Sequence, residues 1–254
     1  MLASALLTAA SLASLKVASL NLCTDELLLT LAGPGQIVSV THLAHKPEET
    51  ALWREARRHR QNDGSLLSVA ALRPDLVVTM GSGGRDRVRI ARRLGIRVLE
   101  LPYPQRLTDV EQAIETVARS LGRPAAGRQW LGRIDSLQRT QPVVQSDTIW
   151  LGGGGRSVQA TGLAADWMRL AGLRQRRLRG DRVSLEQLLV RPPTILLRSD
   201  YRRGQYSGEQ RWLMHPLARG TGKSRTIATD GRAWTCMGPP MVDEVLRLRR
   251  QLRR

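Results

Sequence analysis

His42 and His45 stand three residues apart in THLAHKP. Two imidazoles at that spacing can share a metal ion or touch a bound chelate. No companion ligands at zinc-like spacing accompany them, so a polar lining role in a binding loop is the better expectation. Cys23 and Cys236 are the only cysteines, which excludes a disulfide-dense scaffold and a cysteine-rich zinc module. A nucleophilic thiol needs a nearby base, and His42 is the candidate partner for Cys23. Glycine runs at 81–84 and 152–155 let backbone approach a ligand closely and can form anion nests. Neither is a Walker loop, because no Gly-Lys-Ser/Thr follows; a plain turn after a strand is the alternative.

Aromatic residues make up 4% of the chain, so their placement is informative. Tyr103, Tyr201, Tyr206 and Trp234 fall on loops after predicted strands, where flat rings can pack against a macrocycle or a catechol. Trp53, Trp130, Trp167 and Trp212 fall in helical patterns and are expected to pack. Arg85, Arg156, Arg198 and Arg202 could face the anionic groups of a chelate.

The elements that must position these residues alternate. KVASL at 16–20 reads as a strand, and Thr24 or Asp25 is placed to cap the helix behind it. IVSV (37–40), LVVTM (76–80) and 97–101 continue as strands, with helices expected over 47–60, 66–72, 85–94 and 108–121. The second half repeats the plan, with strands at 148–151, 194–198 and 226–229 and helices at 162–170, 184–190, 205–219 and 240–252. Alternation of this kind indicates βα units on parallel sheets. SLLSVAALRPDLVV (65–78) and SLEQLLVRPPTILL (184–197) occupy matching places in the two halves, which implies two similar α/β lobes. The segment 123–139 opens on a proline and carries Trp130, Leu131, Ile134 and Leu137 at helical spacing, so it is expected to join the lobes as one helix about 25 Å long. The expected divisions are an apolar N-terminal segment (1–14), an N-terminal lobe (15–122), a linker helix (123–142) and a C-terminal lobe (143–254).

Ligands of α/β lobes sit outside the carboxyl ends of strands. That rule selects Thr24, Asp25, His42, His45, Met80, Ser82, Arg85 and Tyr103 from the first lobe, and Gly153, Arg198, Tyr201, Tyr206 and Trp234 from the second. Cys23 and Cys236 lie in loops at the edge of the same cleft, one per lobe. A bridge between them needs Cα atoms within about 7 Å and would hinder opening, so two buried free thiols are the expected state.

The composition narrows the classes. The 254 residues are 41% hydrophobic and 24% charged, which argues for a folded chain, and no apolar run reaches the roughly 18 residues of a membrane-spanning helix. The formal net charge is +18, and only three of the 40 basic residues are lysines. The arginines are spread through every segment, as a coding bias would spread them, rather than gathered on one element among stacking aromatics. Nucleic acid is therefore not the expected partner, and a basic nucleic-acid-binding α/β protein is kept as an alternative. MLASALLTAASLAS (1–14) reads as the apolar core and cleavage region of an export signal without its basic segment.

The ordered series VASLNLCTDELLLTLAG (17–33), SVAALRPDLVV (68–78), LGIRVLELP (94–102) and VSLEQLLVRPP (183–193) resembles the bacterial substrate-binding proteins with a helical backbone linker, which serve ABC importers for cobalamin and ferric siderophores. The resemblance covers residues 16–252. It implies a non-catalytic periplasmic protein, acting as a monomer without a resident cofactor, that binds a metal chelate between its lobes and hands it to a membrane permease. In that family a glutamate on each lobe docks onto permease arginines. Glu186 matches in the C-terminal lobe, whereas the N-terminal position holds Leu67, which puts symmetrical docking in doubt. Family cobalamin binders place tryptophans around the corrin; the matching neighbourhoods here hold Arg60, Gln61, Asn62 and Met80, so the resemblance leans to a ferric siderophore. The alternative from another class is a small-molecule enzyme using Cys23, His42 and His45 in the cleft.

Overall fold

The computed structural model describes residues 15–81, 85–201, 204, 207–220 and 222–253, with only the backbone of 85–87. The apolar segment 1–14 lies outside the described residues.

The N-terminal lobe runs β1 (Val17–Ser19), α1 (Leu22–Leu31), β2 (Ile37–Thr41), α2 (Trp53–Ala56), β3 (Arg60–Asn62), α3 (Leu66–Ala70), β4 (Leu76–Met80), α4 (Arg85–Arg93), β5 (Arg97–Leu101) and α5 (Leu107–Ser120). Its five strands are parallel in the order β3-β2-β1-β4-β5. After α6 (Pro124–Arg139) the C-terminal lobe runs β6 (Ser146–Leu151), α7 (Leu163–Ala171), β7 (Leu173–Gln175), α8 (Leu185–Val190), β8 (Ile195–Ser199), α9 (Gly208–Leu213), α10 (Pro216–Arg219), β9 (Arg225–Thr229), α11 (Ala233–Cys236) and α12 (Met241–Leu252). Its four strands are parallel in the order β7-β6-β8-β9. All five residues of β4 are buried, as a parallel strand covered by helices on both faces requires.

Several elements depart from the sequence expectation. The helix expected over 47–60 shrinks to α2, and β3 takes its end. Asn21, not Thr24 or Asp25, caps α1, accepting from the Thr24 amide at 3.0 Å. The expected helix over 205–219 is divided, because Pro216 opens a new turn after His215.

α6 begins with Pro124 in its first turn and buries Ile134 and Leu137. It lies against α5 at a glycine: a Cβ on Gly127 would stand 2.7 Å from that of Ala118. One continuous apolar cluster includes Leu28 and Val78 of the first sheet's surroundings, Ile114 of α5, Ile134 of the linker, and Trp167, Leu197 and Val245 of the second lobe. The lobes therefore share a core.

Arg249 of α12 fastens the linker's end. Nearly buried, it donates from Nε to the Leu170 carbonyl at 2.7 Å, from Nη2 to the Leu137 carbonyl at 2.8 Å and from Nη1 to Thr140 Oγ1 at 2.8 Å. The guanidinium serves the carbonyl ends of α6 and α7 at once, where a cation is favoured. Arg249→Met should cost about 2–4 kcal/mol, because two buried carbonyls lose their donors. Urea unfolding at neutral pH checks this, and a loss under about 0.5 kcal/mol would refute the clamp.

Candidate functional site: the seam between the lobes

The carboxyl ends of the two sheets meet at a seam, and the strongest contact there is covalent. Cys23, in the first turn of α1, is bonded to Cys236, at the end of α11, with 5.2 Å between Cα atoms and a sequence separation of 213. This corrects the expectation of two free thiols: the fold brings the first turn of α1 and the end of α11, from opposite lobes, within bridging distance, which sequence separation cannot reveal. It also removes the thiol that the enzyme alternative required.

Two polar contacts flank the bridge. Tyr201 Oη donates to Glu49 Oε2 at 2.7 Å, and Arg232 Nη1 donates to the Pro47 carbonyl at 2.9 Å. Arg232 also holds Asp230 through Nε at 2.8 Å and Nη2 at 2.6 Å. Burial pushes the Asp230 carboxyl up, but Arg232 outweighs it and the net shift is downward. Gly231 permits this crowding, since a Cβ there would lie 2.3 Å from that of Tyr201. A second contact zone lies where the Leu107 amide donates to Asp166 Oδ2 at 3.0 Å, joining α5 to α7.

Under the bridge lie two carboxyls. Asp25 is wholly buried and accepts from the Thr41 amide at 3.0 Å and Thr41 Oγ1 at 2.5 Å. Burial pushes it up to about 6 against these hydrogen bonds. Glu26 is buried as well. Its Oε1 accepts from Thr50 Oγ1 at 2.7 Å, and its Oε2 finds no hydrogen-bond partner among the described residues. Burial pushes Glu26 up to about 8, against the Thr50 hydrogen bond and with the neighbouring charges of Asp25 and Asp230 adding to the rise.

The residues selected from sequence separate into two groups. Thr24 and Asp25 are fully buried, and Thr24 bonds Ser19 Oγ at 2.7 Å, so both hold the first loop rather than line an open surface. Met80 belongs to the shared core. Trp234 does too: α11 turns its ring inward, Nε1 donates to Thr229 Oγ1 at 2.7 Å, and its centroid lies 6.0 Å from that of Trp150. These four are corrections to the ligand-lining expectation. His42 and Tyr103 are exposed, and His45, Gly153, Arg198 and Tyr201 are half-buried. His45 Nδ1 meets Gln61 Nε2 at 3.1 Å, its buried Nε2 finds no hydrogen-bond partner among the described residues, and burial first, then the charge of Arg57, pulls its pKa down. Tyr103 lies over Gly81, where a Cβ would come 2.3 Å from the ring at a φ of +81°. Gly153 sits under Glu209, and Arg198 Nη2 donates to the Leu213 carbonyl at 3.0 Å. Ser82, Arg202, Tyr206 and the side chain of Arg85 lie outside the described residues. Among the described residues no three His, Cys, Asp or Glu side chains gather as a metal cluster.

Sequence reasoning missed Glu26, Glu49 and Trp150. A signal existed for Glu26, a carboxylate inside TDELLLTL, where an apolar helix face leaves it nowhere to go but inward. Asn62 proves structural, donating to the Ser19 carbonyl and Ser39 Oγ, both at 2.9 Å. Glu186 is exposed in the first turn of α8, and hydrogen bonds from its own amide and from Ser184 hold its carboxyl below the usual range. Leu67 on α3 is 75% exposed.

The sequence model of the periplasmic binding protein family matches residues 17–221. No curated protein sequence matches the chain significantly. Among solved structures, the periplasmic heme-binding protein HutB of Vibrio cholerae is similar with a TM-score of 0.71 at 17% identity, over 94% of this chain and 99% of that one. The heme-binding protein RhuT from Roseiflexus sp. RS-1 gives 0.65 at 20% identity, over 93% and 98%. The vitamin B12 binding protein BtuF of Vibrio cholerae gives 0.64 at 17% identity, over 94% and 96%. At these identities the likeness is one of fold.

Proposed function

The chain belongs to the periplasmic binding protein family, and from that premise we propose that it captures an iron chelate at the seam between its lobes and delivers it to the permease of an ABC importer. The observation that carries this reading is the meeting of two parallel sheets at their carboxyl edges, with His42 and Tyr103 exposed on loops that follow β2 and β5 at that edge. A phenol ring offers a flat apolar face and an oxygen, and an imidazole offers a nitrogen donor. A ferric siderophore is the first choice of ligand, since the tryptophans expected around a corrin are absent from 60–62 and 80. Haem is the second, because His and Tyr are side chains that ligate its iron, and HutB and RhuT are heme-binding proteins. Glu186, ionised and exposed, is the docking carboxylate toward the permease, with Leu67 offering an apolar contact on the other lobe. No residue is assigned a catalytic role.

A thermal-shift panel of ferric hydroxamate, ferric catecholate, ferric citrate, haem and cobalamin tests the reading. At 100 times its dissociation constant the true ligand should stabilise the fold by about 2.7 kcal/mol, and Tyr103→Ala should weaken it about tenfold. The shift should persist at higher salt. Stabilisation by a DNA oligonucleotide alone, fading steeply with salt, would overturn the proposal.

A further inference from the structure

A surface cavity of about 720 Å³ opens on the C-terminal lobe between β7 and α8, away from the residues that join the lobes. Four arginines line it, Arg174, Arg176, Arg177 and Arg191, against two carboxylates, Asp147 and Glu186. Arg176 is already committed. Its Nε donates to Asp147 Oδ1 at 3.2 Å, its Nη2 pairs with Asp147 Oδ2, and its Nη1 reaches the Arg191 carbonyl at 2.5 Å. The Asp147 charge is therefore consumed at the floor of the cavity. Arg174, Arg177 and Arg191 are exposed, and among the described residues no carboxylate stands within ion-pair distance of them. Glu186, on the rim in the first turn of α8, is the other carboxylate among the described residues that line the space.

Three like charges around one concavity repel each other, and among the described residues none is ion-paired. A guanidinium presents a planar fork that matches carboxylate and phosphate oxygens two at a time. The volume falls within the range of small-molecule sites, roughly 300–1,000 Å³. The remaining wall combines the aliphatic side chains of Ile149, Leu178 and Val190 with the amides of Gln175 and Gln187, which suits a ligand with a carbon skeleton between its charges. We infer that this cavity is a second binding site, which takes a small organic polyanion bearing carboxylates or phosphates through Arg174, Arg177 and Arg191. The site is independent of whether the seam takes a chelate, because it shares no residue with the contacts described there.

Isothermal titration with metal-free citrate and with pyrophosphate, each at constant ionic strength against sodium chloride, separates carboxylate from phosphate preference. The native protein should bind at least one of them saturably. R174E/R177E should weaken that binding at least tenfold. R92E/R93E makes the same change in net charge on α4, where both side chains are exposed, and should leave the dissociation constant within twofold. Matching thermal melts for the two variants establish that both are folded. Equal loss of binding in both variants would assign the effect to the overall charge of +18 and overturn the site. So would the absence of saturable heat with either probe.

Discussion

Replacing Cys23 and Cys236 with serine will lower stability by about 2–5 kcal/mol. The bridge closes a span of 213 residues, and in the chain-entropy account a loop that long is worth about 5 kcal/mol, with measured values for native disulfides of about 2–5. For a chain of this size that corresponds to a fall in melting temperature of roughly 5–15 °C. Reductant should reproduce the fall in the native protein and leave the double variant unchanged. Melts of the native protein that coincide with and without reductant, or two thiols titrating in unreduced denatured protein, would refute the bridge. A functional consequence accompanies the stability change. The bridge, Tyr201–Glu49 and Arg232–Pro47 tie one side of the seam together, while α6 and the shared core hold the lobes elsewhere. Wide separation of the lobes is therefore barred while the bridge is intact, and a bound chelate should leave the double-serine variant faster than the native protein.

The parts of this arrangement legible from sequence are those where burial is written into the residue pattern. LVVTM can only be a strand covered on both faces, and Ile134 and Leu137 mark the buried stripe of the linker. Short edge strands carry no such mark: Arg60–Asn62 and Leu173–Gln175 are three residues each, and only their neighbours β2 and β6 make them strands. The rule that ligands gather at strand ends selects one edge of each sheet, yet it cannot say which side chains there face outward. Thr24, Asp25 and Trp234 lie at that edge and point into the core, because the first turn of α1 and the short α11 rotate them inward. His42 and Tyr103 lie at the same edge and stay exposed. The partnership of Cys23 with Cys236 depends on the relative placement of two lobes, a property that no local pattern encodes.

Glu26 gives the second large effect, and it depends on pH. Burial holds its folded pKa near 8, from an ordinary value of 4.5. Below pH 4.5 both folded and unfolded chains carry the proton, and the residue costs nothing in charge. Between 4.5 and 8 the unfolded chain releases the proton while the folded chain keeps it, so stability falls steadily as pH rises through that window and levels off above it. The loss at pH 8 is on the order of a few kcal/mol. Glu26→Gln keeps the oxygen that accepts from Thr50 and removes the ionisation. The variant should match the native protein near pH 4 and exceed it by a few kcal/mol at pH 8, as urea unfolding at the two pH values will show. Asp25, with its carboxyl raised from 3.8 to about 6, contributes a slope of the same sign at lower pH, and that slope should persist in both proteins. An unchanged difference between variant and native protein from pH 4 to pH 8 would mean that Glu26 ionises normally. Its unpartnered Oε2 would then have to reach water at the seam. Forced ionisation has a cost beyond stability, because the new charge would stand beside Asp230, the carboxylate that fixes Arg232 for its contact with Pro47.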